Sequence, residues 1–438
     1  MDSLRIPAVN RRRFLGLTAG AGGALLASAA CGAGGGGSTS ASGADKSLTV
    51  VCEGGGKIEL QPIVDKFKQD TGATVNLVEL PYEGLFNRLS SELASGRPSF
   101  DVCAIDAVWI PLLAPKLAAL DALFTPEVRA DLFPALVKEP QVSGKFIGMP
   151  VWTNSEILLY RTDLFGDAKE KAAFQKRYGY PLAPPTNWQQ FTDVAQFFTR
   201  PGQKLYGTDV KGGVETEWLA HVLQAGSPGV VLDDSGAVII DNAQHLAALT
   251  FYADLNNKHK VAPAGAAQTD WNAAQNLFNQ GQTAMTRFWA HAYRQIPKDA
   301  KVAGKVGTAP MIGGTAGVAG IPGPWYLSAP AGGAKNELAT QFIKAAYDNN
   351  ALSLDTSLGL AARKSAYQQD ADKPGFESFG PLLTTLNAGA TRARPANPHW
   401  QQIVDKALVP MLQKALTPGA DYAALLKSAR TQIEGIIK

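Results

Sequence analysis

Between Ser47 and Asp106 the chain alternates apolar runs with amphipathic ones, and this alternation constrains the fold more than any other feature. Residues 47–52 are a short apolar, β-branched run followed by Gly54, Gly55 and Gly56. Ile58, Ile63, Val64 and Phe67 then recur on one side of a helix that stops at Thr71 and Gly72. Residues 73–78 read as a second strand, 85–93 as a second helix, and 100–105 as a third strand ending at Asp106. Strand and helix in alternation imply a mainly parallel sheet with helices on both faces. In such sheets ligands sit beyond the carboxyl ends of strands. That rule selects Glu53 and Gly54, Tyr82 and Glu83, and Asp106 with Trp109. The triple glycine ahead of the first helix reads as room for a ligand hydroxyl or an anion at a helix start.

The chain has 438 residues, too many for one ordinary core and suited to two lobes. The middle, 188–285, reads as mostly helical, with a hairpin over 230–241 turning at Asp233, Asp234, Ser235 and Gly236. A glycine-rich loop covers 313–323, helices follow to Lys438, and no internal repeat is visible.

The N-terminus reads as a targeting segment. Asn10, three arginines at 11–13, Phe14 and Leu15 resemble the twin-arginine export signal. The apolar stretch 15–30 is glycine-rich and too weakly hydrophobic for a membrane span. Residues 27–31 (Ala-Ser-Ala-Ala-Cys) resemble a bacterial lipoprotein cleavage site, with Ser28 standing where the pattern prefers Leu. Cys31 is then the lipidated first residue, and 31–46, rich in Gly, Ser and Ala, is a flexible tether. A plain secretory cut is the alternative. These features imply an exported protein on the outer face of the cytoplasmic membrane, attached through lipid alone. Of three cysteines, Cys52 and Cys103 remain, either as a disulfide or as two buried thiols.

Setting aside the targeting residues 1–30 removes Arg5, Arg11, Arg12, Arg13 and Asp2, leaving 37 basic residues of 41 against 37 acidic of 38. A balanced charge argues against nucleic acid as a partner.

Across 47–438 the order of motifs resembles the family 1 extracellular solute-binding proteins of ATP-driven importers, the group that includes maltose-binding protein. The matching segments are Phe67 to Gly72, Phe100 to Trp109, Gly144 to Pro150 with Leu159 to Phe165, and Pro185 to Phe191. Phe278 to Met285, Pro322 to Pro330 and Lys335 to Ala339 complete the order. The resemblance implies a type II periplasmic-binding-protein fold, with two α/β lobes around a cleft. The N-terminal lobe is expected from 47–153 and 285–333 and the C-terminal lobe from 154–284 and 334–438, with crossings near Thr153, Met285 and Ala334. It implies a monomer that binds a mono- or oligosaccharide between the lobes, closes around it by a hinge, and delivers it to the permease subunits.

A sugar offers hydroxyls and apolar C–H faces, which aromatic platforms and Asp, Glu, Asn or Arg side chains match. The resemblance puts Asp106, Trp109, Trp152, Asn154, Trp271, Arg287, Trp289, Trp325, Arg363 and Trp400 at or near the cleft. No cofactor and no metal are expected, since the five histidines lack ligand spacing. The sequence contains neither a Gly-x-Ser-x-Gly elbow nor a phosphate-loop lysine motif, so an enzyme is not expected; a secreted carbohydrate-active enzyme is the remote alternative. The nearer alternative keeps the fold and changes the solute to a glycerophosphodiester, polyamine or peptide.

Overall fold

The computed structural model describes residues 46–233, 235–370 and 373–438, apart from the Glu83 side chain. The expected signal, Cys31 and the tether up to residue 45 lie outside them. In chain order β1 (Ser47–Glu53), α1 (Gly56–Thr71), β2 (Thr74–Leu80), α2 (Tyr82–Ser95) and β3 (Val102–Asp106) come first. Then come β4 (Met149–Trp152), β5 (Glu156–Arg161), α3 (Trp188–Phe198), α4 (Thr216–Gln224), α5 (Ala243–Asn257) and α6 (Trp271–Asn279). The chain continues with β6 (Met285–Trp289), β7 (Val306–Ala309), β8 (Trp325–Ser328), α7 (Asn336–Asp348), α8 (Phe379–Leu386), α9 (Trp400–Ile403) and α10 (Tyr422–Ile437).

Two sheets organise these elements. The first runs β2-β1-β3-β8-β4, with β1 parallel to both β2 and β3 and with β8 antiparallel to its neighbours. The central strand β3 is buried along its whole length, which fits a strand covered on both faces. Helix α1 stops because Gly72 adopts φ 72°, closing the helix with its amide on the Lys68 carbonyl. Its buried face is Glu59, Leu60, Ile63, Val64 and Phe67; Ile58, expected on that face, is 44% exposed.

The second sheet runs β6-β5-β7 and is antiparallel throughout, unlike the mainly parallel one expected for this lobe. Its strands are far apart in sequence, so no short βαβ crossover links them. Two expected crossings move. Met285 belongs to the second sheet, because β6 pairs with β5 over its full length. The chain returns to the first sheet only between Ala309 and Trp325. Residues beyond Ala334 stay with the first lobe, since α7 packs on β4 and α1. The final crossing lies after Arg363, before α8 packs against β5. The hairpin expected over 230–241 is reduced to one antiparallel bridge, Leu232 to Val238.

Among the described residues no helix is long and apolar enough to cross a membrane. Cys52 and Cys103 are both free and buried on neighbouring strands.

Candidate functional site

Strands β1, β3 and β4 all end at the edge of the first sheet from which the chain crosses to the second, and β8 begins there. Register makes the meeting: Trp325 pairs with Asp106 on one side and with Trp152 on the other. The three residues the sequence placed far apart are therefore side by side. Trp325 stacks on Trp152 at 6.1 Å and 28°, and meets Trp109 edge-on at 5.5 Å. Tyr82, at the first turn of α2, closes the group against Trp109 at 4.7 Å. The indole nitrogen of Trp109 is buried and has no hydrogen-bond partner among the described residues.

Asp106 is the polar centre of this group. One carboxylate oxygen accepts from the Tyr82 hydroxyl at 2.9 Å. The other accepts from Arg394 at 2.9 Å and from the Val108 amide at 3.3 Å. The helix-cap role and the cleft role thus coexist in one side chain. Arg394 comes from the second lobe, in the segment before α9. Burial works against its charge, and Asp106, Tyr82, Glu215 and Glu139 outweigh that and hold it protonated. Glu53, at the end of β1, is pushed up to about 8 by burial, with Asp106 and Glu79 adding to the effect. Glu83 follows Tyr82 in α2, and its side chain is outside the described part.

The triple glycine does not hold an open anion site. Glu79 fills it with its own carboxylate, accepting from the Gly55 amide at 2.6 Å and the Lys57 amide at 3.4 Å.

At the crossing, Asn154 accepts from the Ser155 and Ala290 amides and its amide nitrogen meets His291 at 2.7 Å. Burial pushes the His291 imidazole down to about 4. On the second lobe Trp289 ends β6 beside Trp271, with ring centres 5.5 Å apart, and Gly323 lies so close to it that a Cβ would sit 2.9 Å from the indole. Trp400, buried, opens α9, which packs against residues 107–109 of the first lobe. A second arginine also crosses: Arg294 donates to the Leu354 carbonyl at 2.5 Å and lies over the Phe376 ring.

Two expected residues are elsewhere. Arg287 is fully buried inside the second lobe, paired with Glu217 at 2.5 Å, touching His221 at 2.7 Å and lying over Phe191. Lys211 completes this network with Glu217 and Asp209. Desolvation, reinforced by Arg287, holds His221 neutral. Arg363 pairs with Asp131 at 2.7 Å and donates to the Asp348 carbonyl, tying together parts of the first lobe. Arg394, Arg294 and Glu215 were not singled out in the sequence. Arg394 stands in Arg392-Ala393-Arg394-Pro395, a segment with no periodicity to mark it.

Comparison with known proteins agrees with this architecture. The family model described as "Bacterial extracellular solute-binding protein" matches residues 54–351, and the chain belongs to that family. The protein is thus the solute-binding component of an ABC transporter. A relative from Deinococcus radiodurans, "Probable ABC transporter-binding protein", is 28% identical over 396 residues, covering 85% of this chain and 90% of its own. The "Mannitol-binding protein" of Pseudomonas aeruginosa is 24% identical over 251 residues, 56% of this chain and 55% of its own. Among solved structures, maltose-bound MalE3 of T. maritima aligns with a TM-score of 0.73 at 24% identity, over 89% of this chain and 99% of that one. A solute-binding protein from Thermotoga lettingae bound to α-D-tagatose aligns with a TM-score of 0.74 at 22% identity, over 90% of this chain and all of its own.

Proposed function

We propose that this protein captures a sugar or sugar alcohol between its lobes and delivers it to the permease of its ABC transporter. The observation that carries this reading is the aromatic group of Tyr82, Trp109, Trp152 and Trp325 built around the Asp106–Arg394 pair. Ring faces take the C–H faces of a sugar, and a carboxylate beside a guanidinium reads hydroxyls as acceptor and donor. Trp289, Trp271 and Trp400 complete the site from the second lobe, with Asn154 at the crossing. Arg287 and Arg363 have no part in it. The ligands of the similar proteins, maltose, tagatose and mannitol, support the same class.

Arg394 and Asp106 belong to different lobes, so their contact exists only when the lobes meet. A solute that touches both lobes favours that state and no other. Export by the twin-arginine signal, attachment through lipidated Cys31 and a monomeric state complete the proposal.

The test is a thermal-shift screen of the protein against mono- and oligosaccharides and sugar alcohols. A solute that binds only the folded state raises the melting temperature by mass action. At least one sugar or sugar alcohol is expected to do so. A shift with phosphodiesters, polyamines or oligopeptides and with no sugar overturns the reading. For the anchor, Cys31→Ala is expected to release the protein into the medium; retention on the membrane refutes lipidation.

A further inference from the structure

The cleft edge of the first sheet carries more acid than base. Glu53 ends β1, Glu79 lies in β2, Asp106 ends β3, and Glu215 enters from the second lobe immediately before α4. Two of the four are satisfied: Glu79 caps α1, and Asp106 holds Arg394 and Tyr82. The other two are not. The Glu53 carboxyl accepts no hydrogen bond and joins no ion pair among the described residues. Glu215 has only its own backbone amide and the more distant charge of Arg394. The ionisable groups coupled to Glu53 are Cys52 beside it, Glu59 on α1, Glu79 on β2 and Asp106 after β3, and all are acids. Of the cations around these acids, Lys57 acts on Cys52, Arg294 acts on Glu59, and Arg394 is committed to Asp106.

The Trp109 indole N–H is 1% exposed by residue and has no acceptor, within a group of ring faces that includes Tyr82 and Trp325. A buried donor without an acceptor calls for an oxygen on the solute. Aromatic faces beside spare carboxylates call for a positive charge. An oxygen-rich solute with a basic nitrogen meets both demands.

We propose that the solute is a sugar or sugar alcohol bearing a basic nitrogen, an amino sugar in the simplest case, and that Glu53 receives its ammonium group. This rests on the reading of the cleft as a sugar site. With a neutral sugar Glu53 has no counter-charge and keeps its proton. With an ammonium group it ionises, and the proton leaves to solvent.

The experiment is titration calorimetry of the full-length protein at pH 7 with matched pairs: glucose and glucosamine, galactose and galactosamine, sorbitol and its 1-amino-1-deoxy analogue. Each is run in two buffers of different ionisation enthalpy, which reads the protons exchanged. At least one amine is expected to bind tenfold or more tightly than its hydroxyl partner, with release of about one proton. Glu53→Gln is expected to bring that pair within threefold of each other. Should the variant fail to fold, proton release by the native protein still decides. Neutral members binding as well as the amines, or no proton release, overturns this inference and leaves the sugar site intact. A preference that survives Glu53→Gln overturns the role of Glu53. Binding of neither member of any pair, with shifts from other solutes, removes the sugar reading itself.

Discussion

The cleft edge of the first lobe and the interior of the second both gather charged and aromatic side chains, and they use them in opposite ways. Inside the second lobe Lys211, Arg287, Glu217 and Asp209 neutralise one another, under Phe191 and Tyr252, with no part of the group exposed. At the cleft edge Asp106 finds its counter-charge in a residue from the other lobe, and Glu53 finds none among the described residues. A closed set of charges holds a lobe together, whereas an open set waits for something to arrive.

The sharpest way to break this contrast is Glu217→Ala. It strands Arg287 in the interior and leaves Lys211 with Asp209 alone, and loss of one partner from a buried pair costs about 3–5 kcal/mol. Chemical denaturation is expected to show a loss of that size. Affinity falling while stability holds would put the network in the site after all.

Asp106→Asn is next. It removes the charge that joins the lobes, and a tenfold loss of solute affinity, about 1.4 kcal/mol, is expected by calorimetry. An unchanged dissociation constant contradicts the assignment of this edge to the solute.

Glu59 and His291, one from each lobe, shift stability with pH in opposite senses. Burial pushes Glu59, which meets Thr356 on the first lobe, up to about 8 from an ordinary 4.5. The folded state therefore holds the extra proton between these values, and the contribution of Glu59 to stability falls as pH rises through that window. His291, after β6, is depressed to about 4 from 6.5, so its contribution is lost as pH falls across that interval. Melting temperatures from pH 4 to 8 for the native protein and Glu59→Gln are expected to differ in slope above pH 4.5, the variant being flatter. Parallel curves would show that Glu59 titrates as it does in the unfolded chain.

Arg363→Ala is the smallest change. Its pair with Asp131 is partly solvated, so about 1 kcal/mol or less of stability is at stake, and affinity should stay within twofold. A larger loss of affinity would return Arg363 to the cleft.

What could be read in the sequence follows from range. The alternation from β1 to β3 was legible because each element is set by neighbours a few residues away. The burial of Glu59 in place of Ile58 was not, because Ser353 and Thr356, nearly three hundred positions later, receive it. The second sheet was illegible for the same reason: Tyr160 pairs with Met285, and no local pattern records that. Motif order located the family but not the sheet each strand joins, hence the displaced crossings. Within the candidate site, Asp106 and Trp109 were readable as residue types at a strand end, and Trp152 and Trp325 only through the resemblance. Arg394 was not, since its role comes only from lobe contact. Arg287 looked like a site residue because a charge beside Trp289 resembles one, while its neutralising partners lie some seventy positions earlier.

The buried state of Cys52 and Cys103 has a practical consequence for watching this molecule move. Cys52 is pushed up to about 12, first by burial, and Cys103 is raised by burial alone, so neither offers a thiolate to a maleimide while the lobes stay folded. A single cysteine placed at an exposed point on each lobe of the 46–438 body, for example at Leu112 and Leu246, would take a dye pair free of background from these two thiols. Energy transfer between the dyes would then report the angle between lobes directly, one molecule at a time.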